Sequence, residues 1–163
     1  MSSASQHGSE TATAGVIVRP PFLFFGILLL GLALDYVLPV PLPTGDGPLR
    51  WPLGGGAILV GLAIAAAGIR SFLRAKTPVP SNEPVRTLVT TGIHGWSRNP
   101  IYLGMYLIYG GICVVAGSLW MLILLLPLAI ILRHGVIARE EAYLERRFGD
   151  AYRDYKARVR RWL

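Results

Sequence analysis

Residues 88–104 read LVTTGIHGWSRNPIYLG, and they form a short polar hinge directly before a long apolar run. Because Pro100 disfavours helical geometry at Asn99, a helix is expected to begin at or just after Pro100. The free backbone N–H groups at that helix start would face whatever binds beside Arg98 and Asn99. A second polar cluster, Arg139-Glu140-Glu141, follows the last apolar run. We interpret the two clusters as halves of one site.

The composition indicates a membrane protein. Of 163 residues, 53% are hydrophobic and only 15% are charged, whereas about a quarter of the residues of a soluble domain are charged. The apolar residues form four runs, which cover residues 22–38, 53–72, 101–116 and about 119–132. A transmembrane helix needs about 20 residues, so the last two runs are short, and their two-residue separation predicts a tight helical hairpin. The sequence therefore predicts an all-α polytopic membrane protein with about four transmembrane helices.

The distribution of Arg and Lys predicts the orientation. Residues 39–52 contain one basic residue, Arg50, whereas five lie between residues 70 and 98 and nine more from Arg133 onward. Basic residues concentrate on the cytoplasmic side of membrane proteins. We therefore expect an inner-membrane protein with both termini, the 73–100 loop and both polar clusters on the cytoplasmic side. The net charge of +7 reflects this topology, and no nucleic-acid partner is expected.

The two ends of the chain differ in character. Residues 1–18 are rich in Ser, Thr, Ala and Gly, which predicts a disordered tail before a single membrane-embedded domain at 19–163. At the other end, a helix over Ala138–Arg147 should end at Gly149, and Asp150 should cap a final helix to about Arg160.

These last helices form an amphipathic pattern. An apolar stripe recurs at spacings of four and three, with most of the basic residues elsewhere; it consists of Leu144, Phe148, Tyr152, Tyr155 and Val159. One interpretation is an interfacial helix on the anionic lipids of the inner leaflet. The other is that the stripe also covers the site.

The acidic pair and the histidine each allow more than one role. Glu140 and Glu141 point about 100° apart on a helix, so one can face a cationic ligand while the other faces the basic loop. Both could instead be plain interfacial charges. His94 has no second His at ligand spacing, and the single Cys113 lies in an apolar run. No metal site is therefore expected.

Several stretches together resemble one enzyme superfamily. They are residues 88–92 (LVTTG), 97–104 (SRNPIYLG), 139–141 (REE), 148–152 (FGDAY) and 159–162 (VRRW). This combination is similar to the isoprenylcysteine carboxyl methyltransferase and phospholipid methyltransferase superfamily. The resemblance covers roughly residues 76–163, which would be the cofactor-binding half of the domain.

The resemblance implies S-adenosylmethionine as the cofactor, bound at the cytoplasmic membrane face, with substrates entering from the bilayer. By position, the implied cofactor-binding residues are Leu88, Val89, His94, Asn99, Pro100, Ile101, Tyr102 and Glu140. The implied catalytic residues are Arg98, Glu140 and Glu141. Family members often carry His at the position of Asn99 and Tyr at that of His94. Prenylcysteine enzymes carry a substrate-binding Arg where this chain has Val136, so Arg133 or Arg139 is expected to replace it.

The function implied by the resemblance is methylation of a membrane lipid or lipid-like acceptor at a carboxylate or an amine. Two alternatives stay open. One is a membrane reductase of the sterol-reductase type, which would use a nicotinamide cofactor and usually has more spans. The other is a non-catalytic lipid-binding or scaffold protein that uses its basic tail. The sequence leaves the oligomeric state and the identity of the acceptor open.

Overall fold

The computed structural model describes residues 13–43, 47–81 and 83–163. This part of the chain is helical, with a 3-10 turn at Gly92–Gly95 and a π-helical segment at Leu132–Ile137. The helices are α1 (Pro20–Val37), α2 (Arg50–Arg74), α3 (Pro100–Ala116), α4 (Leu119–Ile131), α5 (Ala138–Phe148) and α6 (Asp150–Arg158). Helix α3 begins at Pro100, as the proline predicts.

The helices fit an integral membrane protein. α1, α2 and the continuous helix Leu119–Phe148, which joins α4, the π segment and α5, are long and apolar enough to cross a membrane. α3 is apolar and shorter, at 17 residues. Large apolar side chains such as Phe22, Leu59 and Leu126 are exposed on the outside of the bundle, where lipid rather than water suits them. The predicted all-α membrane fold is confirmed.

Helices α2 and α3 run antiparallel with their backbones in contact. Glycines recur every seven residues on both helices, at Gly54 and Gly61 on α2 and at Gly104 and Gly111 on α3. A Cβ atom on Gly61 would lie 2.6 Å from the Gly104 carbonyl oxygen, and one on Gly104 would lie 2.5 Å from the Gly61 carbonyl oxygen. Close backbone approach through small residues is typical of membrane helices. Because of this contact, the end of α2 and the start of α3 lie side by side. We call this end of the helix bundle the site end.

The opposite end is closed by the connection between α1 and α2. The Arg50 Nε donates to the Val115 carbonyl at 2.8 Å. The Leu42 N–H donates to the Gly117 carbonyl at 2.7 Å, and the Leu119 N–H to the Val40 carbonyl at 2.9 Å. Gly117 has a φ of +64°, which lets α3 end and α4 start two residues later. The chain thus makes the tight hairpin that the Gly117-Ser118 spacing predicts.

The core lies between α1, α3 and the long helix. Its buried members are Phe24, Tyr102, Tyr109, Cys113, Met121, Leu128, Leu132, Val136 and Ile137. Of the tail predicted to be disordered, residues 1–12 lie outside the described part. Residues 13–18 instead pack on the protein: the Ile17 N–H donates to the Gly135 carbonyl at 3.2 Å, and Ala14 is buried. The apolar residues Ala14 and Val16 explain this packing, because both pack against buried clusters of the protein.

The C-terminal helices meet at a sharp bend. α5 ends at Phe148, and Gly149 adopts a φ of +53°. Gly149 rather than Asp150 is the cap of α6, and the Asp150 carboxylate instead pairs with Arg153 at 2.5 Å. Tyr152 and Tyr155 are buried against the site end. The apolar stripe of α6 therefore packs on the protein, while Arg153, Lys156 and Arg158 are exposed.

Candidate functional site

A cavity lies at the site end, between the hinge, the start of α3, α5 and α6. Ten of the residues singled out from the sequence line it: Leu88, Val89, His94, Arg98, Asn99, Pro100, Ile101, Tyr102, Glu140 and Glu141. The two polar clusters therefore do lie together around one cavity.

Arg133 and Arg139 do not line this cavity. Both side chains are exposed, and the Arg139 Nη1 donates to the Gly15 carbonyl at 2.9 Å. The π-helical segment explains their position, because its wider turn shifts the faces of the following helix by one residue. Val136 and Ile137 are fully buried there instead. The structure thus places the predicted substrate-binding arginines away from the cavity.

The two adjacent carboxylates have different partners. Glu140 is 4% exposed and accepts a 2.8 Å hydrogen bond from the Tyr102 hydroxyl. Ser81 is a second hydroxyl partner of Glu140. Glu141 instead binds two guanidinium groups, with Oε1 at 2.9 Å from Arg98 Nη2 and Oε2 at 2.6 Å from Arg161 Nη2. Among the described residues Glu140 forms no ion pair, and the hydrogen-bond partners of its carboxyl group are hydroxyls.

Arg98 is held from several sides. Its Nη1 donates to the carbonyls of Lys156 and Val159, each at 3.0 Å. Its backbone N–H donates to the Arg160 carbonyl at 3.0 Å. The guanidinium is therefore rigidly placed, and its buried Nε–H has no partner among the described residues.

The chain end after α6 closes over the hinge, and we call residues 156–162 the C-terminal clasp. Ser97 Oγ and Asn99 Nδ2 both donate to the Arg161 carbonyl at 3.2 Å. The Trp162 ring packs edge-on against Tyr106, with 5.7 Å between the ring centroids. One N–H of the Asn99 amide is thus used by the clasp. The VRRW stretch at residues 159–162 was part of the family resemblance. Its contact with the hinge is visible only in the structure.

His94 is buried beneath the cavity and neutral. It is 3% exposed, and its ring packs edge-on against Phe72 with 4.9 Å between centroids. Burial lowers the pKa of His94 from 6.5 to about 4, because a charged imidazole is poorly solvated there. Its Nδ1 has no partner in the described chain. The Tyr155 hydroxyl donates to the His94 carbonyl at 2.7 Å, and burial raises the pKa of Tyr155 to about 12.

The cavity also has walls that were not predicted as site residues. They are Phe72, Val79, Pro80, Val85, Thr87, Leu144, Tyr152 and Tyr155. The apolar stripe gave a signal for Leu144, Tyr152 and Tyr155. Nothing in the local sequence distinguishes the others. Phe72 reaches the cavity from the last turn of α2, and Val79, Pro80, Val85 and Thr87 reach it through the path of the 75–99 loop.

The fold and the site together define a helical membrane protein with a cavity at one end of its bundle, which is lined by apolar side chains and a few polar ones. The sequence model described as phospholipid methyltransferase matches residues 49–151. The chain therefore belongs to the phospholipid methyltransferase family, and the resemblance seen in the sequence is confirmed. This family consists of methyltransferases.

A 27-residue stretch is 74% identical to an uncharacterized protein of Haemophilus influenzae (strain ATCC 51907 / DSM 11121 / KW20 / Rd). This stretch is 17% of the chain and 43% of that relative, so the chain spans less than half of the relative's length. No solved structure gives a significant match.

Proposed function

We propose that the protein is an S-adenosylmethionine-dependent methyltransferase that acts at the cytoplasmic membrane face on a lipid-like carboxylate or amine. The observation that carries this proposal is the Glu140 carboxylate. It is buried in the wall of the cavity, and its partners are hydroxyls rather than cations. A buried carboxyl group without a cationic partner is costly to ionise, so a cationic ligand beside it would stabilise its charged form.

The cavity suits S-adenosylmethionine chemically. Glu140 would hold its ammonium group, and the buried Arg98 Nε, which has no partner in the described chain, can donate to its carboxylate. Leu88, Val89 and Ile101 provide apolar walls for an adenine ring. When bound, S-adenosylmethionine would supply an electrophilic methyl group on a sulfonium sulfur, with a neutral thioether as the leaving group.

The residues of the chain would contribute position and exclusion of water rather than acid–base strength. The Tyr102 hydroxyl orients the Glu140 carboxylate through its 2.8 Å hydrogen bond. The clasp holds Arg98, and Tyr152 and Tyr155 cover the cavity. Alignment of two reactants accounts for a large share of the rate in such transfers. A cofactor cavity beside the bilayer suits a soluble donor and a membrane-borne acceptor.

The test compares S-adenosylmethionine affinity of Glu140→Gln with that of Glu145→Gln by calorimetry. Loss of one charge-assisted hydrogen bond lowers affinity by about 10- to 100-fold. Glu145 is the matched control, because it lies on the same helix, lines no part of this cavity and pairs with Lys156 at 3.2 Å. Equal affinity for Glu140→Gln and the parent protein would refute the assignment. Binding of a nicotinamide cofactor instead would favour the reductase alternative.

A further inference from the structure

A short non-helical segment precedes α1, and we call its residues 13–18 the N-terminal strap. Ala14 of the strap forms a buried cluster with Val85, from the loop after α2, and Tyr143 of α5. The Val85 N–H donates to the Tyr143 hydroxyl at 3.0 Å. The partly buried Val16 packs against the same cluster. The strap therefore joins the loop to α5 at one buried point.

The strap is also held by two hydrogen bonds. The Ile17 N–H donates to the Gly135 carbonyl of the π-helical segment at 3.2 Å. The Arg139 Nη1 donates to the Gly15 carbonyl at 2.9 Å. Gly15 has a φ of +57°, a conformation that favours glycine. The Arg139 side chain therefore binds the strap instead of lining the cavity.

The strap lies behind one wall of the cavity. Val85 is 1% exposed within the buried cluster and also lines the cavity. Leu144 packs against the same cluster and lines the cavity as well. These two side chains therefore lie between the strap on one side and the cavity on the other.

Val85 is part of what we call the loop wall, which consists of residues 77–81 and 83–87. The Arg86 N–H donates to the Thr77 hydroxyl at 2.8 Å, and this bond closes the loop wall at its base. Ser81 of the loop wall is also a hydroxyl partner of Glu140. Three more of its residues line the cavity, which are Val79, Pro80 and Thr87. A displacement of Val85 should therefore disturb both the shape of the cavity and the surroundings of Glu140.

We propose that the N-terminal strap holds the loop wall against α5 and thereby sets the affinity of the cavity for its ligand. Without Ala14, Val85 loses apolar cover that favours its present position. A ligand that needs the loop wall in place then binds with an apparent affinity reduced in proportion to the fraction of molecules that keep it there. The strap precedes residues 49–151, so this control is exerted from outside the residues that match the family. The inference rests on the proposed function only for the identity of the ligand.

The first experiment measures how often Val85 becomes accessible. In a Cys113→Ala background, Val85→Cys is treated with a thiol reagent in detergent, and the labelling rate is followed by mass spectrometry. Deletion of residues 2–18 should raise this rate about tenfold, the effect of losing one or two hydrogen bonds of ordinary net strength. Deletion of residues 2–12 keeps the strap and is the matched control. The buried Cys113 is labelled in the same deletions with Val85 unchanged, and its rate should stay constant because Cys113 belongs to the core.

Point variants test the strap in the full-length chain. Ala14→Asp places a carboxylate in the buried cluster and should raise the labelling rate of Val85→Cys as the deletion does. Arg139→Gln removes the donor to the Gly15 carbonyl and should raise the rate about threefold, since this contact is exposed. Arg139→Lys keeps a cationic donor and should restore a rate close to that of the parent. Arg146→Gln, at an exposed position of α5 away from the strap cluster, is the control.

The second experiment measures S-adenosylmethionine affinity by calorimetry in the same variants with Val85 unchanged. Deletion of residues 2–18 and Ala14→Asp should weaken binding about tenfold, in proportion to the loss of molecules with the loop wall in place. Deletion of residues 2–12 and Arg146→Gln should bind like the parent. An unchanged labelling rate of Val85→Cys, an equal rise for Cys113, or faster labelling without weaker binding would each overturn the inference. If the parent itself does not bind S-adenosylmethionine, the methyltransferase proposal fails, and the labelling of Val85→Cys alone decides whether the strap holds the loop wall.

Discussion

Arg98 and Glu141, 43 residues apart in the chain, form a 2.9 Å ion pair at the site end, and both side chains are about nine-tenths buried. Arg161 binds the other oxygen of the same carboxylate at 2.6 Å. Glu141 therefore joins the hinge, α5 and the C-terminal clasp in one network. Its neighbour Glu140 faces the cavity with hydroxyl partners only. Glu141 thus links three elements through ion pairs, while Glu140 forms no ion pair among the described residues.

Replacing Glu141 with Gln should destabilise the protein strongly. Removing one partner of a buried ion pair costs about 3–5 kcal/mol, because the remaining charges stay buried. Glu140→Gln removes no ion pair and should leave the midpoint of unfolding closer to that of the parent. Thermal unfolding of the ligand-free protein in detergent measures both. Equal losses for the two variants would contradict the division of roles.

The clasp can be tested with two neighbouring arginines. Arg161→Gln removes the side-chain contacts with Glu141, and we expect a loss of about 1–2 kcal/mol, since Arg161 is partly exposed. This corresponds to a Tm lower by about 2–8 °C. Arg160 contributes its carbonyl to the Arg98 N–H, and its side chain is exposed, so Arg160→Gln is the control and should unfold like the parent. An unchanged Tm for Arg161→Gln would show that the clasp adds no stability.

The contact between α2 and α3 predicts a difference between two glycines of one helix. A Cβ on Gly61 would lie 2.6 Å from the Gly104 carbonyl oxygen, whereas a Cβ on Gly55 would have no atom of another element within 4 Å. Gly61→Ala should therefore destabilise by about 1–3 kcal/mol through overpacking. Gly55→Ala should be neutral or stabilising by up to about 1 kcal/mol, because Ala favours helix. Denaturation in detergent that ranks the two in the reverse order would contradict the packing.

Much of the fold followed from local signals. Pro100 set the start of α3, and Gly117 and Gly149 ended helices where their positive φ angles are needed. The lengths of the apolar runs predicted the membrane helices. The seven-residue glycine spacing was also present in the sequence, and it marks the residues at which α2 and α3 come into contact.

The site residues that are consecutive in the sequence could be predicted. Contacts between residues that are distant in the chain could not. Residues 98–102 all line the cavity, because they are consecutive in the hinge and the first turn of α3. Arg161 could not be paired with Glu141 from the sequence, because the bend at Gly149 brings them together across 20 residues. Arg133 and Arg139 were expected from the resemblance to replace an arginine at the position of Val136, but both are exposed and line no part of this cavity.

His94 predicts a pH dependence of stability. Its pKa is about 4 in the folded protein and 6.5 for an ordinary histidine, so the unfolded chain binds more protons between these values. Stability is therefore complete above about pH 6.5 and decreases as the pH falls toward 4, by up to about 1.4 kcal/mol per pH unit. His94→Gln should flatten this slope between pH 7 and 5, whereas His134→Gln, at an exposed position, should not. Parallel slopes for parent and His94→Gln would contradict the prediction.

The orientation in the membrane can be decided with single cysteines. Gly47 lies in the connection at the opposite end of the bundle, and Asp154 lies on α6 at the site end; both are exposed. The basic residues concentrate at the site end, which predicts that this end is cytoplasmic. In a Cys113→Ala background, we expect a membrane-impermeant maleimide to label Gly47→Cys in intact bacterial cells and Asp154→Cys only in inverted membrane vesicles. Labelling of Asp154→Cys in intact cells would place the cavity on the outside, where no S-adenosylmethionine is made, and would remove the donor from the proposed reaction.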